Sequence, residues 1–187
     1  MRVLAIGGSA SVGKTTLAAD LIRRMDRSHV LHVDDALPAV EAAKGPSFMD
    51  SPNVWRRPPE LLRDDLVEWT AHLHSHVDDR VSDLARRGGG IVEGEGIDPR
   101  IARTWDPAVI RVVYVVEPDP RVLYRTFAER TTGHRFLALS SAERDGVVEM
   151  NRLYGEWLRA AADAHGQPWV TSRPWTSLPE RVLQKLR

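Results

Sequence analysis

Hydrophobic residues occur along the chain in two alternating patterns. Short apolar runs have the length of strands, and the second, third and fourth of them are mostly apolar, as buried parallel strands are. Between them, apolar residues recur every three or four positions, which is the period of amphipathic helices. The alternation predicts an α/β fold, a parallel sheet covered by helices on both faces. The five predicted strands are Arg2–Ile6, His29–Val33, Gly90–Glu93, Arg111–Val116 and Pro168–Thr171.

The clearest helical pattern extends from about Glu60 to Arg87 and ends at three consecutive glycines. A second long helix is predicted from about Ser141 to His165. The segment that precedes the first of these helices, residues 36–59, contains five prolines, which predict irregular structure. The apolar stripe of the first long helix consists of Leu62, Leu66, Trp69, Leu73, Val77, Val81 and Leu84.

Composition narrows the classes of protein to which the chain can belong. The 187 residues include 26 Lys and Arg and 26 Asp and Glu, a formal net charge of +0, so we expect no nucleic-acid partner. The absence of cysteine excludes disulfides, thiolate metal sites and cysteine nucleophiles. No apolar run is long enough to cross a membrane, and the first is too short for a signal-peptide core. We therefore expect a cytoplasmic protein without a membrane partner, folded as one domain over residues 1–187.

One stretch matches the pattern G-x-x-x-x-G-K-[ST]: Gly8-Ser9-Ala10-Ser11-Val12-Gly13-Lys14-Thr15. It follows the first predicted strand and precedes a helix, which is the context in which this pattern binds phosphate. Gly8 and Gly13 permit conformations and close approaches that a Cβ would block. The loop amides and the helix N-terminus can then face a phosphate, next to the ammonium of Lys14.

With this loop the chain resembles the P-loop NTPases, and among them the nucleoside and small-molecule kinases. The resemblance is carried by Gly8–Thr16, Val33-Asp34-Asp35, Ile91-Val92-Glu93-Gly94 and Val113-Tyr114-Val115-Val116. It implies a three-layer sandwich with a five-stranded parallel sheet in the order 2-3-1-4-5, and ATP and Mg²⁺ as cofactors. Uridine-kinase-like proteins and antibiotic phosphotransferases are the members with a similar stretch after the second strand.

The resemblance also implies how the nucleotide is bound. Lys14 would contact the β- and γ-phosphates, and Thr15 would be a ligand of Mg²⁺. In several of these kinases the loop after the fifth strand contacts the base, so Trp175 is a candidate cover for adenine, with core packing as the alternative. The candidate nucleotide-binding residues are Gly8, Ser11, Val12, Gly13, Lys14, Thr15, Thr16, Arg125, Arg173 and Trp175.

Two pairs of carboxylates follow predicted strands. Asp34 and Asp35 follow the second strand, at the edge where open α/β sheets bind ligands, and helix capping is their alternative role. In these kinases the first aspartate is commonly the catalytic base, which assigns that role and a share of Mg²⁺ binding to Asp34. Glu93 ends the third strand, where the resemblance implies a Mg²⁺ carboxylate. Glu95 is the alternative to Glu93 and a candidate contact of the acceptor.

Arg125, Arg130 and Arg135 are spaced five residues apart around a polar segment after the fourth strand. In small P-loop kinases such a segment is a lid that closes over ATP and excludes water. The resemblance therefore implies a lid near residues 125–140 that brings Arg130 and Arg135 to the transferred phosphate as catalytic residues. A solvated basic helix face is the alternative.

The acceptor is expected to bind near residues 36–60, because long irregular segments in compact domains are usually functional. This segment carries Trp55 and Arg57, which suit stacking on a flat ring or binding an anion. The alternative is that Trp55 packs on the core. The candidate acceptor contacts are Asp35, Trp55, Arg57, Glu95 and Arg100.

The leading functional hypothesis is an ATP-dependent kinase that phosphorylates a hydroxyl of a nucleoside, metabolite or antibiotic. Ala36-Leu37-Pro38 replaces the aromatic residues that nucleoside kinases often have at this point. A nucleoside-monophosphate kinase is the second hypothesis, and it would require arginines such as Arg57 and Arg100 at the acceptor site. A nucleotide-binding regulatory or toxin-like protein is the third. The sequence predicts neither the identity of the acceptor nor the oligomeric state.

Overall fold

A five-stranded parallel sheet forms the centre of the molecule in a computed structural model. The model describes residues 1–25, 29–130 and 136–186, apart from the side chains of residues 74 and 75. The strand order is β2-β3-β1-β4-β5, and every neighbouring pair is parallel, so the predicted fold class and strand order are confirmed. The strands are β1 Val3–Gly8, β2 Val30–His32, β3 Gly90–Gly94, β4 Ile110–Val116 and β5 Trp169–Thr171.

Helices follow the strands and cover the sheet. The α-helices are α1 Lys14–Arg24, α2 Leu37–Lys44, α3 Pro59–Arg86, α4 Pro99–Ala102, α5 Pro120–Glu129, α6 Ser141–Ala164 and α7 Leu178–Lys185. Short 3₁₀ turns lie at Val33–Ala36, Phe48–Asp50, Val54–Arg56, Phe136–Ala138 and Trp175–Ser177. Within the described ranges, no helix combines the length and the apolar character that a membrane span requires.

The two faces of the sheet bury separate hydrophobic cores. Val3 and Ala5 of β1 belong to the core under α3 and α6, whereas Leu4 and Ile6 belong to the core under α1, α5 and α7. This division follows from the strand geometry, because successive side chains point to opposite faces. All seven residues of the predicted stripe on α3 are buried, which confirms the periodicity that predicted this helix.

Two local predictions were wrong. Residues 36–59 are not irregular throughout, because helix α2 occupies their first third. Pro38 stands in the first turn of α2, where its missing N–H costs no helical hydrogen bond. Strand β2 is not buried: its three residues are half-buried, since it lies at the edge of the sheet.

Candidate functional site

The P-loop, Gly8–Thr15, connects β1 to α1 at the carboxyl edge of the sheet. Two of its residues require glycine for different reasons. A Cβ on Gly8 would lie 2.4 Å from the carbonyl oxygen of Val115 on the neighbouring strand. Gly13 has a φ of 88°, in the left-handed region that side chains disfavour. The loop is therefore held close to β4 and turns sharply into the first helix.

Lys14 is largely enclosed by the loop that precedes it. Only 9% of the residue is exposed, and Nζ donates a hydrogen bond to the carbonyl oxygen of Ser9 over 2.7 Å. The hydroxyl oxygens of Ser9 and Ser11 are buried nearby without a hydrogen-bond partner in the described part of the chain. Buried polar groups are normally satisfied, so the unpartnered Ser11 hydroxyl, which lines the same cavity as the Lys14 ammonium, indicates a site for a polar anion. A phosphate has the charge and the acceptor oxygens that fit it.

Thr15 and Glu93 are in direct contact at the start of α1. Thr15 Oγ1 donates to Glu93 Oε1 over 2.9 Å, and His32 Nδ1 lies 2.6 Å from the same oxygen. The pairing of β2 with β3 places His32 opposite Glu93. A hydroxyl and a carboxylate beside a phosphate site are the oxygen donors that Mg²⁺ takes.

The described residues contain no cluster of three or more His, Asp or Glu side chains that could hold a metal ion. A Mg²⁺ ion at Thr15 and Glu93 would therefore need further oxygen ligands. Mg²⁺ is commonly bound by one or two carboxylates together with the phosphates of a nucleotide, and this donor set fits that arrangement.

A cleft of about 400 Å³ opens above the P-loop. It brings together side chains from the ends of β2 and β3, from α5 and from the turn before α7, and most of the sequence-predicted site residues are among them. The lining residues are Ala10, Ser11, Gly13, Lys14, Thr15, Thr16, Asp34, Glu93, Gly94, Glu95, Thr126, Glu129, Arg130 and Trp175.

Glu95 has unusual electrostatics for a residue of this cleft. Burial raises the pKa of its carboxyl above the ordinary value; the positive charge of Lys14 and a hydrogen bond from the Ala10 amide oppose the rise, and the negative charge of Asp34 adds to it. Oε1 of Glu95 is buried without a hydrogen-bond partner among the described residues. The hydroxyl of Tyr154 donates to the backbone oxygen of Glu95 over 2.9 Å and fixes the residue against α6.

Trp175 and Arg173 stand at the P-loop side of the cleft. The indole of Trp175 approaches to 3.6 Å from the position that a Cβ on Gly13 would occupy, and 38% of the residue is exposed. The Arg173 guanidinium lies 3.9 Å from the centre of the Trp175 ring, and its Nη2 donates to Thr126 Oγ1 over 3.2 Å. A flat, half-exposed ring beside a phosphate site can stack on a nucleotide base.

The structure separates Trp55 and Arg57 from this cleft. Both line a second depression of about 620 Å³, formed with the start of α6. Trp55 also packs against both hydrophobic cores, and Arg57 pairs with Asp65 at 2.7 Å. None of residues 36–60, all of which the structure describes, lines the P-loop cleft, and the chain contributes Asp34 to the cleft just before this segment.

Other predicted residues also lie outside the lining of the cleft. Arg100 makes a two-pronged ion pair with the fully buried Asp98 and lies 5.0 Å over the ring of Trp157. Asp35 is exposed beside Asp34, and its backbone oxygen accepts a hydrogen bond from Arg80 over 3.4 Å. Gly8, Val12, Arg125 and Arg173 also belong to this group, with Val12 in the core, Arg125 exposed on α5 and Arg173 over the Trp175 ring.

The predicted lid is described only in part. Arg130, directly after α5, lines the cleft. Arg135 and the rest of residues 131–135 lie outside the described residues. On the far side of that gap, Phe136 is buried and stacks on Phe127 of α5, with ring centres 5.4 Å apart.

Sequence reasoning missed several polar residues of the site, among them Glu129 and Thr126 in the lining of the cleft, His32 beside Glu93, and Asn151. Thr126 lies on α5 four positions before Arg130, which follows the end of the helix, and both residues line the cleft. Asn151, on the buried face of α6, accepts a hydrogen bond from the Ala10 amide over 3.2 Å and donates to Val147 over 2.9 Å. The sequence did contain an indication of Asn151, because this polar residue lies four positions after Val147 of the apolar stripe of α6.

No protein-family model matches the chain, and no curated protein is significantly similar to it in sequence. Shikimate kinase from Acinetobacter baumannii, solved in complex with shikimate, superposes with a TM-score of 0.52 at 16% identity, over 98% of this chain and 92% of that one. Deoxyadenosine kinase from M. mycoides, solved with bound dATP, superposes with a TM-score of 0.51 at 11% identity, over 98% of both chains. The chain thus has the fold of the P-loop small-molecule and nucleoside kinases.

Proposed function

We propose that the protein is an ATP-dependent kinase that transfers the γ-phosphate to a hydroxyl of a small molecule. The observation that carries the proposal is the presence of Asp34 in the same cleft as the P-loop. Phosphoryl transfer needs a phosphate site, a compensating charge and a group that accepts the proton of the attacking hydroxyl. The P-loop amides, Lys14 and Asp34 are suited to these three tasks.

The nucleotide would bind across the P-loop, with its phosphates at the loop amides. Lys14 would exchange the carbonyl of Ser9 for phosphate oxygens, a stronger partner for an ammonium. Arg130 supplies a second positive charge to the same cleft. Trp175 offers a face on which the base can stack.

Thr15 and Glu93 would hold Mg²⁺, which when bound neutralises charge on the phosphate oxygens during transfer. The hydrogen bond from Thr15 already orients the Glu93 carboxylate toward the phosphate site. His32 fixes the same carboxylate from the β2 side.

In the transfer step, a bond forms between the acceptor oxygen and the γ-phosphorus. The bond from that phosphorus to the β–γ bridging oxygen breaks, and ADP leaves. The proton of the acceptor hydroxyl passes to the Asp34 carboxylate. Asp34 is exposed, so it can release this proton to water after the products dissociate.

A nucleoside-monophosphate kinase would need arginines free to bind a second phosphate. The sequence candidates for that task already have carboxylate partners: Arg57 pairs with Asp65, and Arg100 with Asp98. We therefore favour transfer to a hydroxyl over transfer to a phosphate.

The test is acceptor-stimulated ADP release in a screen of nucleosides, metabolites and antibiotics. A kinase consumes ATP in proportion to one acceptor, whereas a regulatory or toxin-like protein binds ATP and hydrolyses it slowly whatever is added. Lys14→Ala should abolish the stimulated rate. Lys44→Ala, which removes an exposed lysine at the end of α2, is the matched control and should keep it. Near-normal turnover of Lys14→Ala would overturn the proposal.

A further inference from the structure

Among the residues that the structure describes, the lining of the P-loop cleft contains more negative than positive side chains. Both described cations of its lining, Lys14 and Arg130, are needed for the phosphates of ATP in the proposed reaction. With Glu93 assigned to Mg²⁺, the described carboxylates left near the acceptor are Asp34, Glu95 and Glu129, and this part of the cleft is acidic. The carboxylates of the lining are Asp34, Glu93, Glu95 and Glu129.

An acceptor with a carboxylate or phosphate would meet no available cation among the described residues of this lining. The two arginines that the sequence suggested as acceptor contacts lie outside this lining. Arg57 is 2.7 Å from Asp65 and lines the second depression, and Arg100 is paired with Asp98. Bringing an anion beside several carboxylates in a partly buried cleft is electrostatically costly.

Glu95 gives an independent indication of the chemistry of the acceptor. Glu93, two residues earlier, already receives hydrogen bonds from Thr15 and His32. Glu95 Oε1 is buried without such a donor in the described part of the structure, although Glu95 lines the cleft. An unpartnered buried carboxylate oxygen is unfavourable, and a ligand that donates hydrogen bonds would remove the cost.

We propose that the acceptor carries an ammonium group near the hydroxyl that is phosphorylated, and that Glu95 binds this ammonium. The chemical class is an amino alcohol, which includes amino sugars and aminocyclitols. This inference rests on the proposed kinase function and names the substrate class of the same site. An ammonium donates three hydrogen bonds, and its positive charge attracts the carboxylates of both Glu95 and Asp34.

The experiment compares three six-membered carbocycles that differ in charge. They are 2-deoxystreptamine, which is cationic, myo-inositol, which is neutral, and shikimate, which is anionic. Binding of each to the protein with ADP and Mg²⁺ is measured by calorimetry, and ADP release from ATP is measured with each compound. We expect 2-deoxystreptamine to bind at least about tenfold more tightly than myo-inositol, the scale of one charge-assisted hydrogen bond, and shikimate to bind least.

Two variants distinguish a direct contact between Glu95 and the ammonium from the general effect of negative charge in the cleft. Glu95→Gln keeps the size of the side chain and should weaken 2-deoxystreptamine binding about 10- to 100-fold, with little change for myo-inositol. Glu129→Gln removes the same charge from another part of the cleft and should weaken 2-deoxystreptamine binding by less than about threefold. Circular dichroism and the melting temperature verify that both variants fold.

Three results would overturn the inference: tighter binding of shikimate than of 2-deoxystreptamine, an equal effect of Glu95→Gln on the cationic and neutral compounds, or binding of none of the three to the wild-type protein. Failure of the kinase proposal gives a different result, because ATP would then fail to bind at the P-loop or Lys14→Ala would leave turnover intact.

Discussion

His32 Nδ1 lies 2.6 Å from Oε1 of Glu93, the same oxygen that receives the hydroxyl hydrogen of Thr15. His32 and Glu93 are 61 positions apart in the sequence and meet because β2 pairs with β3. One imidazole thus holds in place the carboxylate that we assign to Mg²⁺. Partners of this kind orient metal ligands without touching the metal.

We expect His32→Asn to weaken metal binding, because Glu93 would lose the contact that fixes its orientation. Loss of such an outer partner typically costs about 10- to 100-fold in metal affinity. The measurement is Mn²⁺ binding in the presence of ADP, followed by electron paramagnetic resonance. His165→Asn, at the end of α6, is the control and should bind Mn²⁺ like the wild type. Equal affinities in all three proteins would show that His32 does not position Glu93.

Asp34→Asn should lower turnover by about 10² to 10⁴, the usual contribution of a general base. ATP affinity should change little, since it depends mainly on the P-loop. Asp35→Asn is the matched control, because Asp35 is the neighbouring carboxylate that does not line the cleft. Steady-state kinetics with both substrates varied distinguishes the two variants. A larger loss in Asp35→Asn would transfer the role of base to that residue.

Stability should depend on pH through Glu95. Burial raises the pKa of this carboxyl above its ordinary 4.5, so its charged form destabilises the folded state. Glu95→Gln should therefore raise the melting temperature at neutral and alkaline pH, and the difference should vanish below pH 4.5, where the carboxyl is protonated in both folded and unfolded chains. Thermal melts over a pH series test this. A difference that is constant with pH would mean that the charge of Glu95 is well compensated by Lys14 and Arg130.

Trp55 and Arg57 should behave as structural residues. Trp55→Ala should destabilise the protein by about 2 to 4 kcal/mol, because the indole packs against both cores. Arg57→Ala should cost less than about 1 kcal/mol, as is usual for a partly exposed ion pair. Denaturant unfolding gives both values. A rise in the KM of the acceptor without loss of stability in Trp55→Ala would instead place the acceptor in the second depression.

The alternation of strands and helices predicted the parallel sheet, and the resemblance to P-loop kinases implied its strand order. The P-loop pattern places Lys14 and Thr15 by spacing alone, and the carboxyl ends of parallel strands must share an edge, which brings Asp34 and Glu93 toward the loop. The number of prolines did not predict helix α2, because the effect of a proline depends on its position. Pro38 lies in the first turn of α2, where a proline does not break a helix.

The remaining contacts could not be predicted because they join distant parts of the chain. Asn151 meets Ala10 across 141 positions, and only the packing of α6 over the P-loop brings them together. Trp55 and Arg57 have the chemistry of a binding site, yet the turn before α3 directs them toward α6. Residue type indicates what a side chain can bind, whereas its direction depends on the tertiary fold.

The Arg173 guanidinium over the Trp175 ring also provides an optical signal. Among the six tryptophans Trp175 is the most exposed, and it lies at the P-loop side of the cleft. A base that stacks on the indole must displace or share the guanidinium, and either event changes the surroundings of the fluorophore. Intrinsic fluorescence should therefore report nucleotide binding without a label, and the signal should disappear in Trp175→Leu.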